Sequence, residues 1–251
     1  MGIVSNKRKF DDSKALIEPS ERLPKLPNMP KRVVLTFFRT EVERLYEDYE
    51  IEVIYTLESE MGEQPVFKFR DSDIALVPLG IGAPLAAGMF EEIIALGGEI
   101  FFCTCGAGTL INKELGALIF PTKGIRDEGT SYHYVKDQEE IKIHRHTNKR
   151  VQDILSELKI DYIEGTTWTT DAFYRETPSK IEAMKQRGCL TVEMEFTALA
   201  AVAEFRNVQF AELLYCGDKL SDNKWEGREW NKQELLRKDL IFLAKDVVAK
   251  M

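Results

Sequence analysis

Short apolar runs alternate along the chain with stretches whose apolar residues recur every three or four positions. "VVLTFF" (33–38) reads as a buried strand, and "TEVERLYEDY" (40–49) has helical spacing with Thr40 as its expected N-terminal cap. Strands are expected at "IEVIYTL" (51–57), "VFKF" (66–69) and "DIALVPL" (73–79), followed by a helix over "APLAAGMFEEIIALGG" (83–98) with a glycine stop. "EIFFCTCG" (99–106) and "ALIFPT" (117–122) read as buried strands, "NKRVQDILSELKI" (148–160) as an amphipathic helix, and "DYIEGTTWTT" (161–170) as a strand. A helix over "SKIEAMKQRG" ends at Gly188, "CLTVEME" (189–195) is a strand, "FTALAAVAEF" (196–205) a helix and "QFAELLYC" (209–216) a strand. A long helical pattern over 231–251 closes the chain. With neither a repeat nor a linker, this order predicts one α/β domain over residues 32–251. Residues 1–31 are polar and hold several prolines, so they form an extended arm laid over the domain or partly disordered.

Composition narrows the function classes. With 251 residues, 44% hydrophobic and 30% charged, the chain has enough apolar material for a real core. Its net charge of −8 argues against a general nucleic-acid or membrane binder, which needs clustered Lys and Arg. No apolar run reaches the length of a bilayer span, and the first 32 residues lack the apolar centre of a signal peptide. Cys103, Cys105, Cys189 and Cys216 all lie in apolar, strand-like contexts without a C-x-x-C pair. Buried reduced thiols in a cytoplasmic protein are the expectation, and no metal site is expected.

In α/β folds functional groups gather where strands end. Four polar strand ends stand out: "TCGAGT" (104–109), "TTDAFYRET" (169–177), "VEME" (192–195) and "GDKLSD" (217–222). They offer hydroxyls with glycine amides, an aromatic pair, paired acids, and an acid on a glycine turn. A single one reads as an ordinary turn, but the four together carry different and complementary chemistry. "GIGAPL" (80–85) has Leu85 where a dinucleotide fingerprint has its third glycine, so it is set aside.

The combination and its order resemble the purine nucleoside and uridine phosphorylase family, which also includes nucleosidases. "VEMEFTALAAVAEF" carries most of the likeness, with "GIGAP", "TCGAG", "IRDEGTSYHY" (125–134), "TTDAFYRE" and the acid of "CGDKL" around it. The resemblance implies a central mixed twisted sheet flanked by helices, and cleavage of a nucleoside's C1′–N bond. Such a reaction must hold the ribose, share the positive charge that develops on it, and protonate the departing base. By resemblance Glu195 grips both ribose hydroxyls in a bidentate way, and Met194 packs against sugar and base. Glu193, two residues earlier and on the same strand face, either supports Glu195 or is a salt-bridged strand-end acid. Asp218 matches the acid that protonates the purine ring, with burial by the "AELLYC" strand expected to raise its pKa, and Asp222 is its rival. Phe173 and Tyr174 match the base-stacking aromatics. Arg175 follows them, but the glutamine of the uridine-specific members is missing, which favours a purine.

The departures concern the acceptor. Phosphorolysis needs an oxyanion site, with inorganic phosphate as co-substrate and no other cofactor. The family's Gly-Asp-Pro-x-Arg loop is absent after the first strand, and Phe101 stands near the place of a second arginine. Thr104, Gly106 and Arg39 remain as candidate phosphate ligands. Glu41 falls near the water-activating glutamate of the nucleosidases, although it is equally a natural acid for the first turn of a helix. Phosphorolysis leads, with hydrolysis and a binding protein that has lost catalysis as alternatives. His133 reads as a core or interface residue and His144 and His146 as solvated. The partners implied are a nucleoside and phosphate, with neither nucleic acid nor membrane, in a homo-oligomer, a dimer or a hexamer.

Overall fold

The computed structural model describes residues 10–60, 62–136, 138–221 and 224–251. Eleven strands form one mixed sheet, and the expected strands and helices are present with altered boundaries. In chain order, β1 is Arg32–Thr36, α2 Arg39–Glu47, β2 Ile51–Ser59, β3 Gly62–Phe69, β4 Ile74–Pro78, α3 Ala83–Leu96, β5 Ile100–Thr109 and β6 Leu118–Asp127. Then come β7 Glu140–Lys142, α4 Arg145–Glu157, β8 Ile163–Thr170, α5 Pro178–Gln186, β9 Cys189–Glu193, α6 Phe196–Arg206, β10 Gln209–Ser221, β11 Lys224–Glu226 and α7 Glu234–Lys250. A four-residue helix, α1 (Pro19–Arg22), precedes them all.

The pairing closes part of the sheet on itself. β5 pairs with both β9 and β10, β10 with β6, β6 with β8, and β8 with β9, so five strands make a ring. β1, β4, β3 and β2 extend from β5 as a wing of the sheet. Glycine permits close contacts within the ring. A Cβ on Gly106 would lie 2.9 Å from the Tyr215 ring, and one on Gly108 would lie 2.4 Å from Leu220. β5 runs on to Thr109 instead of stopping at Gly106 because residues 107–109 still pair with β10 and β9.

The two faces of β5 and β10 carry different cargo. Phe101 and Phe210 are register partners and meet Phe90 of α3 at 4.7 and 5.9 Å between ring centroids, with Phe196 of α6 6.3 Å from Phe210. On the opposite face Tyr215 packs against Phe38 and its hydroxyl accepts the Arg237 Nε–H of α7 at 3.2 Å. By the two-residue period, Cys103 and Glu212 point to the α3/α6 face, and Thr104 and Leu213 to the α7 face.

Several local expectations need correction. Helix α2 starts at Arg39 after Phe38, with no side-chain cap, so Thr40 is its second residue and caps nothing. Strand β9 ends at Glu193, two residues short of the expected end, because the amides that follow already belong to the start of α6. The last helix begins at Glu234, and Trp230–Lys232 form a separate 3-10 turn. Within the described part of the arm, Leu26 donates to the Leu96 carbonyl at 2.9 Å, Met29 is buried, and Glu18 pairs with Arg206 at 3.0 Å.

Candidate active site

The start of α6 is held by the residue the sequence left open. Glu193 Oε2 accepts the backbone N–H groups of Glu195 and Phe196, both at 2.6 Å, while Oε1 accepts the hydroxyls of Thr169 at 2.6 Å and Thr167 at 3.3 Å. Both oxygens are therefore committed, to amides that a helix leaves unsatisfied and to threonines of β8. Among the described residues Glu193 forms no salt bridge, and of the two expectations it is the support of Glu195, through that residue's N–H, that matches its bonds. The chain bends after Glu193, and Glu195 occupies the N-cap position of α6.

Glu195 is 3% exposed, and its Oε1 accepts the Gly82 N–H at 2.6 Å. Gly82 caps α3 with φ +98, a conformation that favours glycine. Burial, and then the charge of Glu193, push the Glu195 carboxyl up to about 8. Met194 between the two acids is half-buried.

A third acid sits on the same face. Glu212, in the middle of β10 opposite Cys103, is completely buried, and neither carboxyl oxygen meets a hydrogen-bond partner among the described residues; the Cys103 thiol lies beside it without completing a bond. Burial, and then the charge of Glu193, hold its carboxyl far above the ordinary range. The sign of the linkage follows. The folded state keeps a proton that the unfolded chain releases above about pH 4.5, so Glu212 costs more stability as pH rises from there. Glu212→Met, apolar and of similar length, is expected to stabilise the protein by about 1–3 kcal/mol at pH 8 and by clearly less at pH 5, read from urea unfolding at both. Equal stability of the two proteins at pH 8 would rule out this cost.

The second centre lies at the far end of β10. Asp218 is half-buried, and its Oδ2 accepts the indole N–H of Trp225 at 2.7 Å. The apolar strand therefore does not enclose it as expected, because its end reaches the surface beside β11. Asp222 lies outside the described residues. Phe173 and Tyr174 form a 3-10 turn with Arg175, their rings 4.0 Å apart between centroids, 51% and 87% exposed. Arg175 is exposed as well. Glu176, which the sequence analysis passed over, turns inward after them, and burial followed by the charge of Asp218 raises its carboxyl to about 7. In chain order β8 leads to the aromatics, β9 to Glu195 and β10 to Asp218, and Glu176 feels the charge of Asp218.

The candidate acceptor residues are less well gathered. Thr104 is completely buried on the α7 face, its hydroxyl donating to Thr36 Oγ1 at 3.3 Å, so the structure does not bring it to the carboxylates. Gly106 lies under the Tyr215 ring. Arg39 is exposed and donates to Gln64 Oε1 of β3. Phe101, near the place of the missing arginine, is core. Glu41 is 4% exposed, stands 3.9 Å from Arg44, and leaves Oε2 buried without a hydrogen-bond partner among the described residues. His133 lines a cavity of about 380 Å³ between the arm, α3 and the end of α6, which none of the candidate site residues borders. Among the described residues no three Cys, His, Asp or Glu side chains are grouped to hold a metal, and no helix is long and apolar enough to cross a membrane.

Known proteins place the chain in a family. Among curated relatives, a uridine phosphorylase of Thermococcus kodakarensis is 30% identical over 108 residues, 43% of this chain and 39% of that protein. A guanosine phosphorylase of Halorubrum lacusprofundi is 27% identical over 150 residues, 56% of this chain and 59% of that one. The matched stretches thus span about half the length of these relatives. A solved uridine phosphorylase from Vibrio fischeri superposes with a TM-score of 0.72 at 21% identity, covering 94% of this chain and 95% of that one. The AMP nucleosidase of Bacteroides thetaiotaomicron superposes at 0.69 and 18% identity, covering 92% and 95%. These two likenesses are of fold. The model of the Phosphorylase superfamily matches residues 31–244, most of the chain including every candidate site residue, and the protein belongs to that family.

Proposed function

We propose that the protein cleaves the N-glycosidic bond of a nucleoside, a purine in preference to uridine, with phosphate as acceptor and ribose 1-phosphate as the sugar product. The observation that carries this reading is Glu195, buried at the N-cap of α6 with one oxygen on Gly82 and the other open to a ligand's hydroxyls. In this reading the Glu195 carboxylate accepts the ribose hydroxyls and strengthens its hold as the sugar gains charge. The aromatic pair offers ring faces to the base, and Asp218 delivers a proton to the ring nitrogen as the C1′–N bond breaks. Phosphate is preferred as acceptor because two curated relatives are phosphorylases. It would take Thr104, Gly106 and Arg39 as ligands by exchanging their present contacts.

A second reading, hydrolysis, is favoured by one observation: the open, buried Oε2 of Glu41. A carboxylate there suits a water-activating base and repels phosphate. Incubating the protein with inosine, adenosine, guanosine and uridine, each with and without phosphate, decides between them. Ribose 1-phosphate made only with phosphate supports phosphorolysis, free ribose without phosphate supports hydrolysis, and bound but uncleaved nucleoside sinks both.

Two variants sharpen the choice. Under phosphorolysis Arg39→Ala is expected to raise the phosphate KM about tenfold or more while Glu41→Gln stays close to wild type. Under hydrolysis Glu41→Gln is expected to remove at least about 10²-fold of kcat, and Arg39→Ala little.

A further inference from the structure

The acid at the end of β10 has one oxygen already taken. Oδ2 of Asp218 accepts the indole N–H of Trp225 at 2.7 Å, although Trp225 itself is 64% exposed. The hairpin of β10 and β11 explains the meeting. Leu220 is the register partner of Trp225, so Asp218, two residues before Leu220, lies on the same face and diagonally across from the indole. Gly227, two residues past Trp225, lies against the outer edge of the ring. A Cβ there would stand 2.9 Å from Cη2 and 3.2 Å from Cζ2, so only the bare glycine leaves the indole in this position. Oδ1 of Asp218 is placed differently. It looks toward Gly108 of β5, where a Cβ would lie 3.7 Å away, and it meets no donor among the described residues. Lys219, the cation next in sequence, donates to Asn112 Oδ1 at 3.2 Å instead.

We propose that Trp225 is a positioning residue for Asp218: its N–H commits Oδ2 as an acceptor, assigns the acid's proton to Oδ1, and steadies the carboxylate left when that proton goes to the base. This rests on the glycosidic-cleavage reading above. An indole nitrogen donates and never accepts, so the oxygen that faces it at 2.7 Å has no place for a proton in that direction. The proton belongs on Oδ1, the oxygen that no side chain among the described residues occupies. In the reaction the C1′–N bond breaks, its electron pair goes to the base, and the ring nitrogen takes the proton from Oδ1. The acceptor oxygen bonds C1′ and releases its own proton to solvent, from which Asp218 is recharged. A hydrogen bond to an ionised oxygen is stronger than one to a neutral acid. The indole therefore holds Asp218 more tightly as the proton leaves, which is a gain made in the transition state.

The test measures kcat and KM separately for wild type and Trp225→Phe on two substrates. Phenylalanine keeps an aromatic ring beside Gly227 and removes the donor. On inosine kcat is expected to fall about 10- to 30-fold with KM within about twofold of wild type. On 7-methylguanosine, whose base leaves without a proton, both constants should stay within about twofold of wild type. A tryptophan that only shaped the hairpin would depress the two substrates alike. NMR of the indole N–H gives a reading that does not depend on turnover. The Trp225 signal, identified by its loss in Trp225→Phe, should move upfield in Asp218→Asn, where a neutral amide oxygen replaces the acid. An unmoved signal, or equal losses on the two substrates, would overturn the proposal. If the wild type cleaves no nucleoside at all, the cleavage reading falls and this role with it. An active wild type beside an unaffected Trp225→Phe sinks only the role of Trp225.

Discussion

Asp218→Asn is expected to lower kcat on inosine by about 10²–10⁴-fold, the loss that follows removal of a positioned general acid. The reason is the leaving group. Expelling a purine as an anion is costly, and the carboxyl at the end of β10 is placed to neutralise it, with Trp225 holding one of its oxygens at 2.7 Å. Asparagine keeps the size and can still accept from the indole, so the fold has little cause to change. The same variant should cleave 7-methylguanosine at close to the wild-type rate, since that base leaves neutral without a proton. Equal losses on the two substrates would point to a general defect and take the acid role from Asp218.

For Glu195→Gln the expected result is a loss of about 2–4 kcal/mol in transition-state binding, roughly 30- to 1,000-fold in kcat/KM. One charged oxygen acceptor is replaced by an amide nitrogen, and the contact that strengthens with the sugar's charge is lost. The pH dependence has a definite sign. Burial and Glu193 raise the Glu195 carboxyl to about 8, so the ionised form that accepts two hydroxyls grows as pH rises toward that value. On the acid side, wild-type kcat/KM should climb with pH through this range, and the glutamine variant should lose that climb. Wild-type kinetics in a folded Glu195→Gln protein would remove the ribose site from the α6 N-terminus.

Much of this was legible in the one-dimensional pattern. The apolar periods located the major strands and helices, because core-facing positions must repeat every two or every 3.6 residues whatever the fold. The two acids of "VEME" at a strand-to-helix junction, the aromatic pair after β8 and the acid after "YCG" were each visible as polar groups where a strand ends. Boundaries were less secure. Thr40 looked like a cap and is helical, since the chain enters α2 from a buried Phe38 that no local rule anticipates.

What the tertiary structure decided is how these groups divide the work. Spacing alone made Glu193 and Glu195 equivalent neighbours. The bend after β9 gives Glu193 the amides of α6 and the threonines of β8, and leaves Glu195 with a single amide from residue 82. Glu212 stands alone as a charge in an apolar strand, and only the pairing of β10 with β5 shows it sealed against Cys103, with no other polar partner among the described residues. Glu176 carried no signal in the sequence, and only the folded chain draws it inward within reach of the charge of Asp218. Arg39, the candidate cation for the acceptor, turned instead to Gln64 on the wing of the sheet. The physical reason is the same in each case. Which residues lie inward within an element is a local property of the chain, but the burial, partners and charge state of an ionisable group depend on residues as far off as the 113 positions between Gly82 and Glu195, and those become neighbours only when the sheet closes.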